Sequence, residues 1–175
     1  MDCVNEDVVG LARGALELRD YDPEWPHRFE LERSALLTAA PQLLEVEHIG
    51  STAIPGSAAK PVIDMQASLH WPDRQQVINR LISRGYTFMP DRVYVDRIFL
   101  PRGPETRRTH HLSLIARGSD EWRVRLRFRD ALRADPRLRQ EYEHLKRTLV
   151  REAHDRSAYT AAKAAFVAQV LAEHP

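Results

Sequence analysis

The chain has one cysteine, Cys3, so no internal disulfide is available to it. No apolar run approaches the roughly 20 residues that span a bilayer. The opening Met-Asp-Cys-Val-Asn-Glu-Asp is acidic and lacks a signal-peptide pattern. Neither charge is in excess: 26 Lys and Arg face 25 Asp and Glu, a net charge of +1. That balance argues against bulk nucleic-acid binding and against a membrane surface as partners. Structural zinc is not expected either, because there is no Cys cluster and no pair of histidines four apart on a helix. A cytoplasmic location follows as the default expectation.

What is present is a patterned chain long enough for one real core: 175 residues, 43% of them apolar and 29% charged. Residues 1–20 read as an N-terminal arm with a short helix around Val8 to Leu18, and 21–175 as a single domain. Asp22-Pro23 caps and starts a helix that ends before Pro41. Leu43 to Ile49 reads as a strand closed by Gly50-Ser51. Pro61 to Leu69 is a strand with Ile63, Met65, Ala67 and Leu69 on one face and Asp64, Gln66 and Ser68 on the other. Pro72 to Arg84 reads as a helix with Val77, Ile78, Leu81 and Ile82 inward and Gly85 as its stop. Tyr86 to Met89, Val93 to Leu100 and His110 to Ala116 read as strands, with a basic loop over 101–109.

Beyond Gly118 the character turns helical. Trp122, Val124, Leu126 and Phe128 alternate with arginines in a strand-like pattern, but Ser119 followed by Asp120 and Glu121 caps a helix. Two more helices follow, from Asp135-Pro136 and from Ser157. Strands first and helices later predict an α+β fold: a mixed sheet flanked by helices, with a C-terminal helical segment.

Chemistry gathers around the Gly-Ser turn and the following strand. A Gly-Ser turn lets backbone amides and a hydroxyl approach phosphate oxygens. A strand carboxylate beside it, Asp64, is placed to hold a divalent metal, and two carboxylates two apart would share one. The second position is Gln66, which brings a carbonyl and no charge. Thr52 is read equally as a turn hydroxyl and as a ligand contact. Lys60 is a candidate point charge for phosphate, and Arg97 and Arg107, with their neighbours Arg102 and Arg108, a candidate anion clamp. His110 and His111 are adjacent on a strand and face opposite ways, so one site takes only one of them, and His111 is the candidate. Tyr159 and Lys163, four apart on the last helix, are within reach of one pocket.

The runs Tyr21-Asp22-Pro23-x-Trp25-Pro26-x-x-Phe29, His48-Ile-Gly-Ser-Thr-Ala-Ile-Pro-Gly56, Ala59-Lys-Pro-Val-Ile-Asp64, Arg108-Thr-His-His-Leu112, Tyr142-x-x-Leu-Lys146 and Tyr159-x-x-x-Lys163-x-x-Phe166 resemble the GrpB-like family across roughly residues 20–170. That resemblance implies a nucleotidyltransferase-like mixed sheet with Gly50, Ser51, Lys60, Asp64, His111 and Lys163 at the ligand site. It further implies a transferase acting between a nucleoside triphosphate and a small acceptor, with Mg²⁺ on Asp64. Some members occur fused to dephospho-CoA kinase, which implies an accessory module and a partner enzyme as one alternative. This chain departs from the pattern at Gln66 and Ser113, where the family's wider fold offers metal ligands. The departures open two alternatives: a metal-independent module that binds a nucleotide or another phosphorylated metabolite, and an enzyme of another class with His111 as general base.

Overall fold

The computed structural model describes residues 9–152 and 156–174, with the backbone alone for 156–159. The expected α+β order is present: α1 (Glu24–Ala39), β1 (Leu43–Ile49), β2 (Ile63–Leu69), α2 (Arg74–Ile82), β3 (Arg97–Arg102), β4 (His110–Ala116), α3 (Asp120–Ala134), α4 (Pro136–Glu152) and α5 (Arg156–Glu173). The four strands form one mixed sheet in the order β1-β2-β4-β3. β2 runs antiparallel to β1 and parallel to β4, and β3 returns antiparallel to β4. The two interior strands, β2 and β4, therefore carry Asp64 and His111 as direct neighbours.

Alternation divides the sheet into two chemically different faces. Ile63, Met65, Ala67 and Leu69 of β2 are sealed under α1 and α2 with Trp25, Phe29, Leu36, Val77, Ile78 and Leu81. The other face carries Asp64, Gln66 and Ser68 beside His111 and Ser113. It is covered by α3, α4 and α5, which share a smaller core of Leu132, Leu138, Tyr142 and Val170. Caps behave as the sequence indicates. Asp22 Oδ1 accepts from Glu24 N at 2.9 Å, Ser119 Oγ from Glu121 N at 3.1 Å and Asp135 Oδ1 from Arg137 N at 2.8 Å. The Ser119 cap outweighs the strand-like alternation that follows it, and 120–134 is helical.

Four expectations are corrected. Residues 9–19 form no helix: Gly10 and Gly14 take φ of +138° and +86°, which a helix cannot contain. The segment is instead an extended strap, bridged at Leu11 to Arg108 and at Arg19 to Ala59. Tyr86 to Met89 is no strand; Tyr86 makes one bridge, to Arg102, and its hydroxyl donates to buried Glu32 at 3.0 Å. The strand expected from Val93 begins at Arg97, because a turn over 90–92 and a single Val93–Ile98 bridge occupy the approach. Ile82 is 47% exposed, since α2 ends on its outer side.

One buried lysine ties the helices to the loop after the Gly-Ser turn. Lys146 is 1% exposed and donates to Ser57 Oγ at 2.8 Å and to the Ala58 carbonyl, while Glu143 Oε2 accepts from Ala58 N at 2.8 Å. A lysine this deeply buried persists because each end of its charge is answered.

Candidate functional site

A cavity of about 550 Å³ lies on the polar face of the sheet, between the strands, the strap and the helices. Its floor is Asp64 and His111. The two residues face each other in register, and His111 Nδ1 donates to Asp64 Oδ1 at 3.0 Å. That bond commits the Nδ1 proton and leaves Nε2 as the nitrogen for proton exchange. The His111 ring is tilted against Phe99, centroids 5.1 Å apart. Burial opposes ionisation of Asp64, but the hydrogen bond and charge of His111, with Lys163 and Arg125, outweigh it and hold the carboxyl below 3.8. Asp64 is therefore a carboxylate at neutral pH.

Gly50 is placed by this carboxylate. Its φ is +71°, and a Cβ there would lie 2.6 Å from Asp64 Oδ2. The position demands glycine both for backbone conformation and for space. Ser51 and Thr52 follow in a single 3₁₀ turn and do not line the cavity. Thr52 is buried, with Oγ1 2.9 Å from His48 Nε2, so its hydroxyl holds the turn.

The walls are basic. Lys60, Arg97 and Lys163 line the cavity, as expected from the sequence. Arg107 does not. In the Leu11–Arg108 bridge consecutive residues point to opposite sides, so Arg108 enters the cavity while Arg107 Nη2 donates to the Val9 carbonyl at 3.4 Å. Arg125 also enters, donating to Ser113 Oγ at 3.2 Å and to Glu121 Oε1 at 2.7 Å. Arg13 and Arg92 complete the basic lining, against which Asp64 is the one acidic residue of the wall among those described. Tyr142 roofs the cavity, with Lys163 Nζ 5.7 Å from its ring centroid. Tyr159 belongs to α5, but its side chain lies outside the described residues.

Gln66 does not reach the cavity. It is 0% exposed, and its Nε2 donates to the Trp122 carbonyl at 3.2 Å under α3. Ser113, its neighbour on β4, is occupied by Arg125. The donor set at Asp64 thus consists of one carboxylate already bonded to an imidazole and ringed by cations. Among the described residues no group of three or more His, Cys, Asp or Glu is gathered to hold a metal. This set does not fit the oxygen-rich cage that Mg²⁺ prefers.

Sequence reasoning missed Arg13, Arg92 and Arg125 as lining residues, whereas Arg108 was among the arginines expected near the site. Arg125 was legible in part, because Glu121 and Arg125 are four apart on a helix. Arg13 carried no local signal: it arrives because the strap folds back over the sheet.

The sequence profile described as GrpB protein matches residues 15–173. The chain is 32% identical over 174 residues to the glutamate-rich protein GrpB of Alkalihalophilus pseudofirmus, covering 95% of this chain and 99% of that one. It is similar to the crystal structure of the conserved protein GrpB from Enterococcus faecalis, with a TM-score of 0.79, 31% identity, and 90% and 96% of the two chains covered. It is 32% identical over 180 residues to a dephospho-CoA kinase of Mycolicibacterium paratuberculosis, covering 87% of this chain and 44% of the kinase. Coverage of relatives varies: the chain spans 41% of the UPF0157 protein YqkA of Bacillus subtilis, to which it is 33% identical over 142 residues. No described helix is long and apolar enough to cross a membrane.

Proposed function

The chain belongs to the GrpB family, and we propose that its cavity binds a phosphate-bearing small molecule through cationic side chains, with His111 as general base or acid oriented by Asp64. The observation that carries this reading is the Asp64–His111 pair, 3.0 Å apart, on the floor of a cavity whose walls are basic. Lys60, Lys163 and the arginines supply the attraction for phosphate, and the arginines add forked donors. Asp64 fixes the imidazole tautomer and stabilises the imidazolium formed when Nε2 takes a proton from a hydroxyl or water.

Mg²⁺-dependent nucleotidyl transfer, which the family resemblance implies, is the second reading. The seat of Gly50 against Asp64 favours it, and the single carboxylate counts against it. An accessory role beside a partner enzyme such as a dephospho-CoA kinase is compatible with either, because both require an occupied cavity.

Calorimetric titration with inorganic phosphate, pyrophosphate and each nucleoside triphosphate, with Mg²⁺ and again with chelator, separates the two. The first reading expects binding that survives the chelator and weakens as salt rises. Binding that appears only with Mg²⁺ transfers the case to the second reading, and no binding in either condition removes both. For any reaction then found, His111→Ala is expected to lower turnover by about a hundred- to ten-thousand-fold while ligand affinity stays close to that of the parent chain.

A further inference from the structure

Each end of the cavity carries two arginines gathered on one glutamate at the rim. At the loop end, Glu105 Oε1 lies 2.5 Å from Arg13 Nη1 and 3.7 Å from Arg108 Nη2. At the β3 end, Glu121 Oε1 lies 3.1 Å from Arg97 Nε and 2.7 Å from Arg125 Nη2. All four arginines line the cavity, and neither glutamate does. Each cluster keeps a net positive charge after its glutamate is counted, and each glutamate holds two guanidinium groups together in advance of a ligand.

The strand register sets the two clusters apart. Arg108 precedes β4, whereas Arg97 pairs with Ile115, four residues beyond His111. At about 3.3 Å per strand residue, Arg97 starts about 13 Å along the sheet from the His111 level. Along the backbone the Asp64–His111 pair therefore lies between the residues Arg108 and Arg97 that anchor the two clusters.

We propose that the ligand is a small molecule with two separated phosphate groups, one held by Arg13 and Arg108 and the other by Arg97 and Arg125, so that its middle lies over Asp64 and His111. This rests on the reading of the cavity as a site for a phosphate-bearing molecule and narrows it. A contiguous triphosphate fills one cluster and leaves the other vacant. A bisphosphate engages both, and each guanidinium pair suits a phosphate dianion better than a single carboxylate charge. The second phosphate then binds intramolecularly, with an advantage greatest when the spacer matches the span between the clusters.

The test is calorimetric titration of the full chain with inorganic phosphate and with straight-chain α,ω-alkanediol bisphosphates of about two to ten carbons. The proposal expects an optimum at an intermediate spacer, with affinity at least about tenfold above that for inorganic phosphate. Arg13→Gln and Arg97→Gln, at opposite ends, should each bring the best bisphosphate down to the level of inorganic phosphate and abolish the optimum. The spacer series is measured on the unaltered chain, so it does not depend on either variant folding. Equal affinity along the series, or a steady rise with spacer length, overturns the two-cluster proposal while bound inorganic phosphate keeps the cavity reading. Failure of inorganic phosphate and of every bisphosphate to bind overturns both.

Discussion

His110 and His111 are neighbours in sequence and occupy different solvents. His110 projects onto the sheet face packed by α1 and α2, at the level of Ile63, while His111 projects onto the opposite face and bonds Asp64. Burial, followed by the charges of Arg102 and His111, drives His110 down to about 3. On the same apolar face His48 stacks against Phe29, centroids 4.7 Å apart, and burial brings it down to about 4. Residue type therefore says little about role here. The face of the strand decides whether an imidazole packs among apolar groups or pairs with a carboxylate in the cavity, and one step along the backbone changes the face.

The largest expected effect breaks the apolar face alone. Leu112 is fully buried beside Met65. Leu112→Ala should cost about 2–5 kcal/mol in urea denaturation and leave phosphate affinity unchanged.

Acid separates the faces next. An unfolded histidine titrates near 6.5, whereas folded His48 does so at about 4. The unfolded state thus binds more protons between those values, and stability must fall as pH drops through that window. The contribution of His48 is of order 3 kcal/mol, and denaturation at pH 7, 6 and 5 should trace it, with a flatter profile for His48→Gln. Asp64 acts in the same direction at lower pH. Its folded pKa lies below 3.8, so its stabilisation is present above that value and is lost as pH falls through the folded pKa. Acid sensitivity above about pH 4 is the signature of the apolar face; below it His110, at about 3, and Asp64 of the cavity both contribute.

Gly50→Ala sharpens the comparison from the polar side. The new Cβ meets Asp64 Oδ2 at 2.6 Å with φ at +71°. A stability loss of about 1–3 kcal/mol is expected, together with displacement of the carboxylate from His111. Imidazole nitrogen NMR should report the lost hydrogen bond, and calorimetry a weaker phosphate affinity. The smallest effect is expected outside both faces. Arg123 is 68% exposed and pairs with Asp120 on the solvent side of α3, so Arg123→Ala should change stability by less than about 0.5 kcal/mol.

The sheet faces were legible because they follow from local alternation, whereas the meeting of Asp64 with His111 depends on β2 and β4 being neighbours, which no local pattern sets. Asp64 and His111 are placed by the period of two on their own strands, and the Gly50 turn is signalled by its residues. Gln66 misled for the same reason: alternation puts it on the face of Asp64, but the carbonyl end of Trp122, from a helix far along the chain, closes over it. The strap was illegible because its structure comes from bridges to Arg108 and Ala59, not from its own periodicity. Arg107 and Arg108 differ only by which side of that bridge they face. Lys146 gave no sign of being buried until Ser57, Ala58 and Glu143 surrounded it.

The placement of the candidate reactive pair on the two interior strands has a consequence in time. Amides of β2 and β4 are hydrogen-bonded on both sides within the sheet, so they should exchange with deuterium only through near-global opening. The strap lies outside the sheet, held by two bridges, by bonds from Gly10 N to the Pro61 carbonyl and from Arg13 N to the Glu105 carbonyl, and by the Arg13–Glu105 contact, and its amides should exchange through smaller openings than those of β2 and β4. One wall of the cavity then belongs to the slowest clock in the molecule and another to a faster one, so the strap can open without disturbing the registration of Asp64 and His111.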